Sequence, residues 1–285
     1  MKRVKNALMV VTGGASGMGR LVSLDFARRG SRVILWDISG AALKKMELDA
    51  EAEGIFIKGM VCDVSDREAV YRRAEQVTAE YGTPDILINN AGVVSGQPLL
   101  ESSDEKIIRS INVNTLALFW TTRAFLPGMI KRDSGHIVTV SSAAGLTGVA
   151  GLADYSASKF GAFGFHESVR MELRTMKSRI KTTIVCPYFI DTGMFLGVKT
   201  RFPLLLPVIK SEDAANAIVR GIQRNASRVI LPRFVKMIFF LRMLPVAVFD
   251  AAMDLMGINH AMDHFTGRPR PGAIHGETAF LRKAE

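Results

Sequence analysis

Residues 10–20 read Val10-Val-Thr-Gly-Gly-Ala-Ser-Gly-Met-Gly-Arg20, a β-branched run that breaks into spaced glycines and then enters a helix-forming pattern. Gly13, Gly17 and Gly19 lack the Cβ that would hold a backbone away from a diphosphate. The helix that follows turns unpaired N–H groups and a positive dipole end toward the same place. Thr12 closes the strand, and Ser16 and Met18 lie within the turn. The stretch predicts strand, phosphate cradle and helix in succession, the opening unit of a nucleotide-binding α/β sheet. Three residues separate Gly13 from Gly17, so the spacing departs from G-x-G-x-x-G.

Outward from that turn, short apolar runs at residues 8–12, 32–37, 55–62, 86–89, 136–141 and 182–186 alternate with helical patterns at 17–29, 41–53, 67–81, 103–130 and 154–176. Strands so uniformly apolar are covered on both faces, and right-handed crossovers then give a doubly wound, Rossmann-type α/β fold with a mostly parallel sheet. No Pro/Gly/Ser-rich linker interrupts the first 187 residues. Residues 1–257 are therefore expected to form a single domain, with a substrate loop at 188–210, a helix at 211–224, a short strand at 229–231 and an apolar C-terminal helical segment at 232–257. A tail at 258–285 follows.

Of the 285 residues, 48% are hydrophobic and 22% charged, which excludes a disordered chain. Cys62 and Cys186 each sit in an apolar run, offering neither a disulfide framework nor a zinc spacing, so a reducing compartment is expected. Met1-Lys-Arg-Val-Lys runs straight into the first strand, from which a cytoplasmic protein is expected. The net charge of +10 is concentrated late, since residues 199–285 hold 13 Lys/Arg against 7 Asp/Glu. It comes with no helix-turn-helix or zinc signature, so no nucleic-acid partner is expected. Pro245, Arg233, Lys236 and Arg242 break segment 232–257 too often for a bilayer span, leaving a lid, a subunit contact or a peripheral membrane contact. His260 and His264 stand at i, i+4 without a third ligand, and no metal is expected.

Asp37 ends the second strand 18 residues past Gly19, where a carboxylate can bind ribose hydroxyls and would repel a 2′-phosphate. NAD is expected, with NADP kept open by Arg20 and Arg32. Asp63, followed by Val64, ends the third strand, placed either for an adenine amino group or as a turn cap. Tyr155 and Lys159, at i and i+4, share a helix face, where an ammonium would favour the phenolate and lower the phenol's pKa. Such a phenol exchanges a proton with a substrate oxygen while hydride moves. Ser142 ends the preceding strand and Asn89-Asn-Ala-Gly92 ends another, so their carboxyl ends border one crevice.

These residues, with Asn114 after Val113, Tyr155-Ser-Ala-Ser-Lys159 and residues 187–192, stand in the order found in the short-chain dehydrogenase/reductase family, which the chain resembles over residues 7 to about 195. The resemblance implies an NAD(P)-dependent oxidoreductase with Tyr155 as general acid/base and Ser142 orienting the substrate oxygen. It implies that Lys159 lowers the tyrosine pKa and binds nicotinamide ribose, and that Asn114 holds a relay water. Asn90, Ala91, Gly92, Pro187 and Thr192 would line the cofactor, Thr192 at the carboxamide. Homodimers or homotetramers built through 103–130 and 154–176 are implied as well. Tyr188 and Ala117 stand where many members have glycine. A closer resemblance lies in residues 119–127, 158–166, 181–187 and 262–268, to the subgroup of epidermal retinol dehydrogenases and lipid-droplet 17β-hydroxysteroid dehydrogenases. Animal members carry an apolar N-terminal anchor, and its absence here is what a bacterial member would show.

Leu146, Val149 and Leu152 near the serine, with Tyr188, Phe195, Leu196 and Phe202 beyond Pro187, predict an apolar substrate site. A lipophilic alcohol or carbonyl of retinoid-, steroid- or long-chain type is expected. The alternative is a dinucleotide-sensing binding protein without catalysis, against which the joint presence of Ser142, Tyr155 and Lys159 argues.

Overall fold

Side chains on successive strand residues point to opposite faces, and this alternation divides the core in two. The computed structural model describes residues 4–267. Its seven strands are β1 (Leu8–Thr12), β2 (Arg32–Asp37), β3 (Ile57–Val61), β4 (Ile86–Asn89), β5 (His136–Val140), β6 (Lys181–Pro187) and β7 (Arg228–Leu231). They form one parallel sheet in the order β3-β2-β1-β4-β5-β6-β7. Met9, Val11, Val33, Leu35, Ile86 and Ile88 meet helices α1 (Gly17–Arg28), α2 (Gly40–Ala52) and α7 (Ser211–Gln223) on one face. Leu8, Val10, Ile34, Trp36, Leu87 and Ile137 meet α3 (Arg67–Tyr81), α5 (Ala117–Lys131) and α6 (Ala153–Thr175) on the other. Each such side chain contributes roughly 1.5–3 kcal/mol by leaving water. The direction of winding reverses at β1, which pairs Val10 with Ile34 of β2 on one side and Leu87 of β4 on the other. A crevice opens there at the carboxyl ends.

Three elements differ from expectation. Segment 103–130 is not one regular helix: α4 (Asp104–Ile111) passes through a π turn at Asn112–Leu116 before α5 begins. Within that turn the Asn114 side chain accepts from Val93 N–H (2.8 Å) and donates to the Val93 carbonyl and Ser158 Oγ (both 2.9 Å), bonds that a regular helix has no reason to provide. β3 starts at Ile57 instead of residue 55 because Ile55 N–H bonds back to the Ala50 carbonyl, closing α2. Segment 232–257 is a 3₁₀ turn at Arg233–Met237, then α8 (Ile238–Leu241) and α9 (Val246–Leu255), with Pro245 restarting the chain as a helix. Beyond it Ile258, Ala261 and Met262 are buried. The expected tail beyond residue 267 lies outside the described residues. Among the described residues no helix is long and apolar enough to cross a membrane.

His166 of α6 is buried, with Nδ1 at 3.0 Å from Thr139 Oγ1. Burial, reinforced by Arg170 and Arg228, lowers its pKa from 6.5 to about 4. The folded state thus favours the neutral ring, and below pH 6.5 the unfolded chain takes up the proton first. Stability is lost progressively as pH falls from 6.5 toward 4, about 2 kcal/mol of it by pH 5. His166→Gln should flatten this part of the stability–pH curve, as urea midpoints at pH 7 and pH 5 would reveal; an unaltered slope would assign the acid sensitivity elsewhere.

Candidate active site

Local sterics set the floor of the crevice. Gly13 (φ +61°) and Gly17 (φ +51°) adopt the left-handed conformation that glycine permits. A Cβ on Gly13 would lie 2.8 Å from Ala91 Cα, and one on Gly19 would overlap the Gly13 carbonyl oxygen. The turn can therefore nest against the end of β4. Thr12 Oγ1 accepts from the N–H groups of Asn90 (3.0 Å) and Ala91 (3.1 Å), while Asn90 Nδ2 donates to the carbonyls of Thr12 and Gly13 (both 3.0 Å). Thr12 and Gly19 stand behind the crevice wall and hold it in shape.

The wall itself bounds an open cleft along the strand ends. It brings together Gly13, Ser16, Gly17, Met18, Asp37, Asp63, Val64, Asn90, Ala91, Gly92, Ser142, Tyr155, Lys159, Pro187, Tyr188, Thr192 and Phe195. Val113 and Ile190 also line it, as do Trp36, Ile38, Arg109, Val140 and Met194, which no motif singles out in the sequence. Asp37 is fixed by backbone donors, Oδ2 accepting from Ala15 N–H and Oδ1 from Ser39 N–H, each at 3.1 Å. Asp63 Oδ1 accepts from Ser65 N–H (2.9 Å) and Oγ (2.7 Å), so it caps a turn while facing the cleft. Arg20 lies 3.9 Å from Asp49, and Arg32 covers the Phe56 and Tyr81 rings at 5.3 and 5.5 Å. Neither arginine lines the cleft. A glycine cradle that a Cβ would fill, the start of α1 and a held carboxylate fit an adenine dinucleotide.

Tyr155 and Lys159 share a face of α6 and are both buried. The Lys159 ammonium donates to the Val140 carbonyl at 3.0 Å and sits 5.7 Å from the Tyr155 ring centre. Burial pushes the Tyr155 phenol up to about 12, against the lowering effect of its hydrogen bond with Ser142, and lowers Lys159 to about 8. The expectation that Lys159 lowers the phenol's pKa is thereby corrected: both groups have left water, and desolvation penalises each charged form. Ser142 Oγ accepts from Ala144 N–H at 3.1 Å. Asn114 reaches the loop at Val93 and helix α6 through its amide and does not line the cleft. Asp154, which the sequence reading did not select, accepts from Ser95 (2.6 Å) and Ser110 (2.5 Å) and ties the start of α6 to α4. In sequence it reads only as a first-turn acid.

A second cavity, tight and apolar, lies beside the cleft. Val149, Leu152, Tyr188 and Phe195 line it as expected, joined by Leu206, Phe234, Val235, Ile238, Met253 and Met256 among others. Leu146 packs with Leu206, Val235 and Met253 behind the cavity wall, and Leu196 and Phe202 are exposed, so these three do not line it. The two cavities share Ser142, Tyr155, Tyr188 and Phe195.

The family model described as short chain dehydrogenase matches residues 7–201. The chain is 45% identical over 272 residues to epidermal retinol dehydrogenase 2 of Homo sapiens, covering 94% of this chain and 88% of that protein. A short-chain dehydrogenase/reductase from Burkholderia phymatum in complex with NAD superposes with a TM-score of 0.77 at 25% identity, over 85% of this chain and 95% of that one. A metagenomic short-chain oxidoreductase in complex with NADP gives 0.67 at 30% identity, over 80% and 97%.

Proposed function

Because the chain belongs to the short-chain dehydrogenase family, we propose that it is an NAD(P)-dependent oxidoreductase interconverting an alcohol and its aldehyde or ketone on a lipophilic, retinoid-, steroid- or long-chain-like substrate. The observation that supports this most is the meeting of the dinucleotide-fitting cleft and the apolar chamber at Ser142 and Tyr155. A bound nicotinamide supplies or accepts the hydride. Gly13, Ser16, Gly17 and Met18 would hold the diphosphate, with Asp37 at the ribose. Asp63, Val64, Asn90, Ala91 and Gly92 would flank the adenosine half, and Pro187 and Thr192 the nicotinamide end.

Tyr155 takes the hydroxyl proton during oxidation and returns it to the carbonyl oxygen during reduction, while Ser142 orients that oxygen. Lys159 offsets the charge on the phenolate and binds the nicotinamide ribose. Asn114, its amide engaged by Val93 and Ser158, would hold the relay water. The repulsion between Asp37 and a 2′-phosphate, with Arg20 and Arg32 turned to other partners, favours NAD over NADP. In the chamber, each Å² of apolar substrate surface leaving water contributes roughly 25 cal/mol.

Two surfaces extend the reading. Exposed Phe240, Met243, Val246 and Leu255, with Arg233 and Lys236 nearby in the chain, suit a peripheral membrane contact beside the chamber wall. Arg242 does not join them, since it donates to the Leu146 carbonyl at 2.7 Å and covers the Phe160 ring. Exposed Leu116, Phe119, Phe160 and Met171 suit subunit contacts through α5 and α6.

Comparing all-trans-retinol, a hydroxysteroid and a small polar alcohol with NAD and with NADP tests the proposal. An apolar alcohol should exceed the polar one in kcat/KM by about tenfold or more. Best turnover of the polar alcohol would remove the substrate reading, preference for NADP the cofactor reading, and tight NADH binding without turnover would leave a sensor. Flotation with anionic vesicles tests the membrane contact.

A further inference from the structure

Phe195 is the side chain that most needs an outside support. It lines both cavities, and its ring meets Tyr155 edge-on at 5.7 Å, Phe189 at 5.1 Å and Phe265 at 6.3 Å. The loop carrying it belongs to no strand or helix. Its backbone is tied to a segment more than 60 residues later: Lys199 N–H donates to the Ala261 carbonyl (3.3 Å), and the Leu196 carbonyl accepts from the N–H groups of Thr266 (2.9 Å) and Gly267 (3.4 Å). That segment is anchored in turn by buried Ile258, Ala261 and Met262.

The fit on both sides is close enough to demand glycine. Gly197 has φ +87°, and a Cβ there would overlap the His264 carbonyl oxygen; Gly96 has φ +65°, and a Cβ there would overlap the Phe265 ring. Phe265 is thus wedged between the loop after β4 and the Phe195 ring.

We propose that residues 258–267 form a strap holding the 195–199 loop in place, and that Phe265 is a positioning residue that sets the Phe195 ring against Tyr155 and narrows the passage between cleft and apolar chamber. Phe265 lines neither cavity and acts through Phe195. The stretch Met262-Asp-His-Phe-Thr-Gly267 acquires a role from this. The strap's hydrogen bonds fall on Leu196 and Lys199 and its ring contact on Phe195, so its loss should loosen the apolar substrate and not the dinucleotide. Only the kinetic part of this prediction rests on the proposed function.

The test uses the full chain with Phe265→Ala and the conservative Phe265→Leu. Amide hydrogen exchange in Phe265→Ala should quicken by about tenfold or more at residues 198–199 and 266, with strands β1, β4 and β5 unchanged. KM for retinol should rise by about tenfold with the NADH dissociation constant within about twofold of wild type, and Phe265→Leu should restore most of both losses. Should Phe265→Ala not fold, Gly96→Ala, whose methyl displaces the intact ring, is expected to speed exchange at the same amides. Unchanged exchange at 198–199, or a rise in NADH dissociation constant matching that in KM, would overturn the strap. If the wild type oxidises no apolar alcohol, the functional proposal falls on that result, and exchange alone decides the strap.

Discussion

Tyr155→Phe should lower turnover by about a thousandfold while leaving NADH affinity within about a factor of two. The substitution keeps the ring and its edge-on contact with Phe195 and removes only the oxygen. Because burial holds the phenol near 12, the protonated form dominates at neutral pH, ready to donate to a carbonyl. Alcohol oxidation instead needs the phenolate, whose fraction grows about tenfold per pH unit below the pKa. Wild-type oxidation should therefore climb between pH 6 and pH 8 while reduction does not, and the climb should vanish in the variant. Residual turnover above about a tenth of wild type would show that another group moves the proton.

Lys159→Met should reduce kcat/KM by roughly a hundred- to a thousandfold, for two separable reasons. Methionine preserves the apolar stem but carries no charge to offset the phenolate. It also strands the Val140 carbonyl that the ammonium now satisfies at 3.0 Å, a loss of about 1–3 kcal/mol of stability. Since Lys159 stands near 8, its lowered pKa means that the ammonium is present below pH 8 and lost above it. Wild-type activity should level off or fall above that pH, and the variant should show no such break. Thermal melting alongside kinetics separates the two effects: a lower melting temperature with intact kcat/KM would reduce Lys159 to a structural donor.

Much of this architecture could be read from the residues because two-sided burial writes a strand as an unbroken apolar run. β1, β2 and β4 begin and end where the composition changes, and the carboxyl ends carrying Gly13, Asp37, Asn90 and Ser142 do border one cleft. The π turn was illegible, since it is maintained by bonds from Asn114 to Val93 and Ser158, distant in sequence. The chamber was half visible. Val149, Leu152, Tyr188 and Phe195 flank the motifs, but Phe234, Met253 and Met256 come from a segment apolar on several sides, where spacing cannot separate inward from outward residues. Charge misled for a similar reason: Arg20, Arg32 and Arg242 look free in sequence, yet each has a partner brought near only by folding. The phenol's pKa was misjudged because helical spacing reports Lys159 and not desolvation.

The wall formed by Phe234, Ile238, Met253 and Met256 also has a temporal meaning, because a ribosome makes it only after the whole sheet. Every strand that borders the dinucleotide cleft has emerged by Pro187, so a nascent chain gains its nucleotide pocket well before anything shields the reaction centre. A product stopped short of residue 232 would lack this wall and open the chamber side of Tyr155 to solvent.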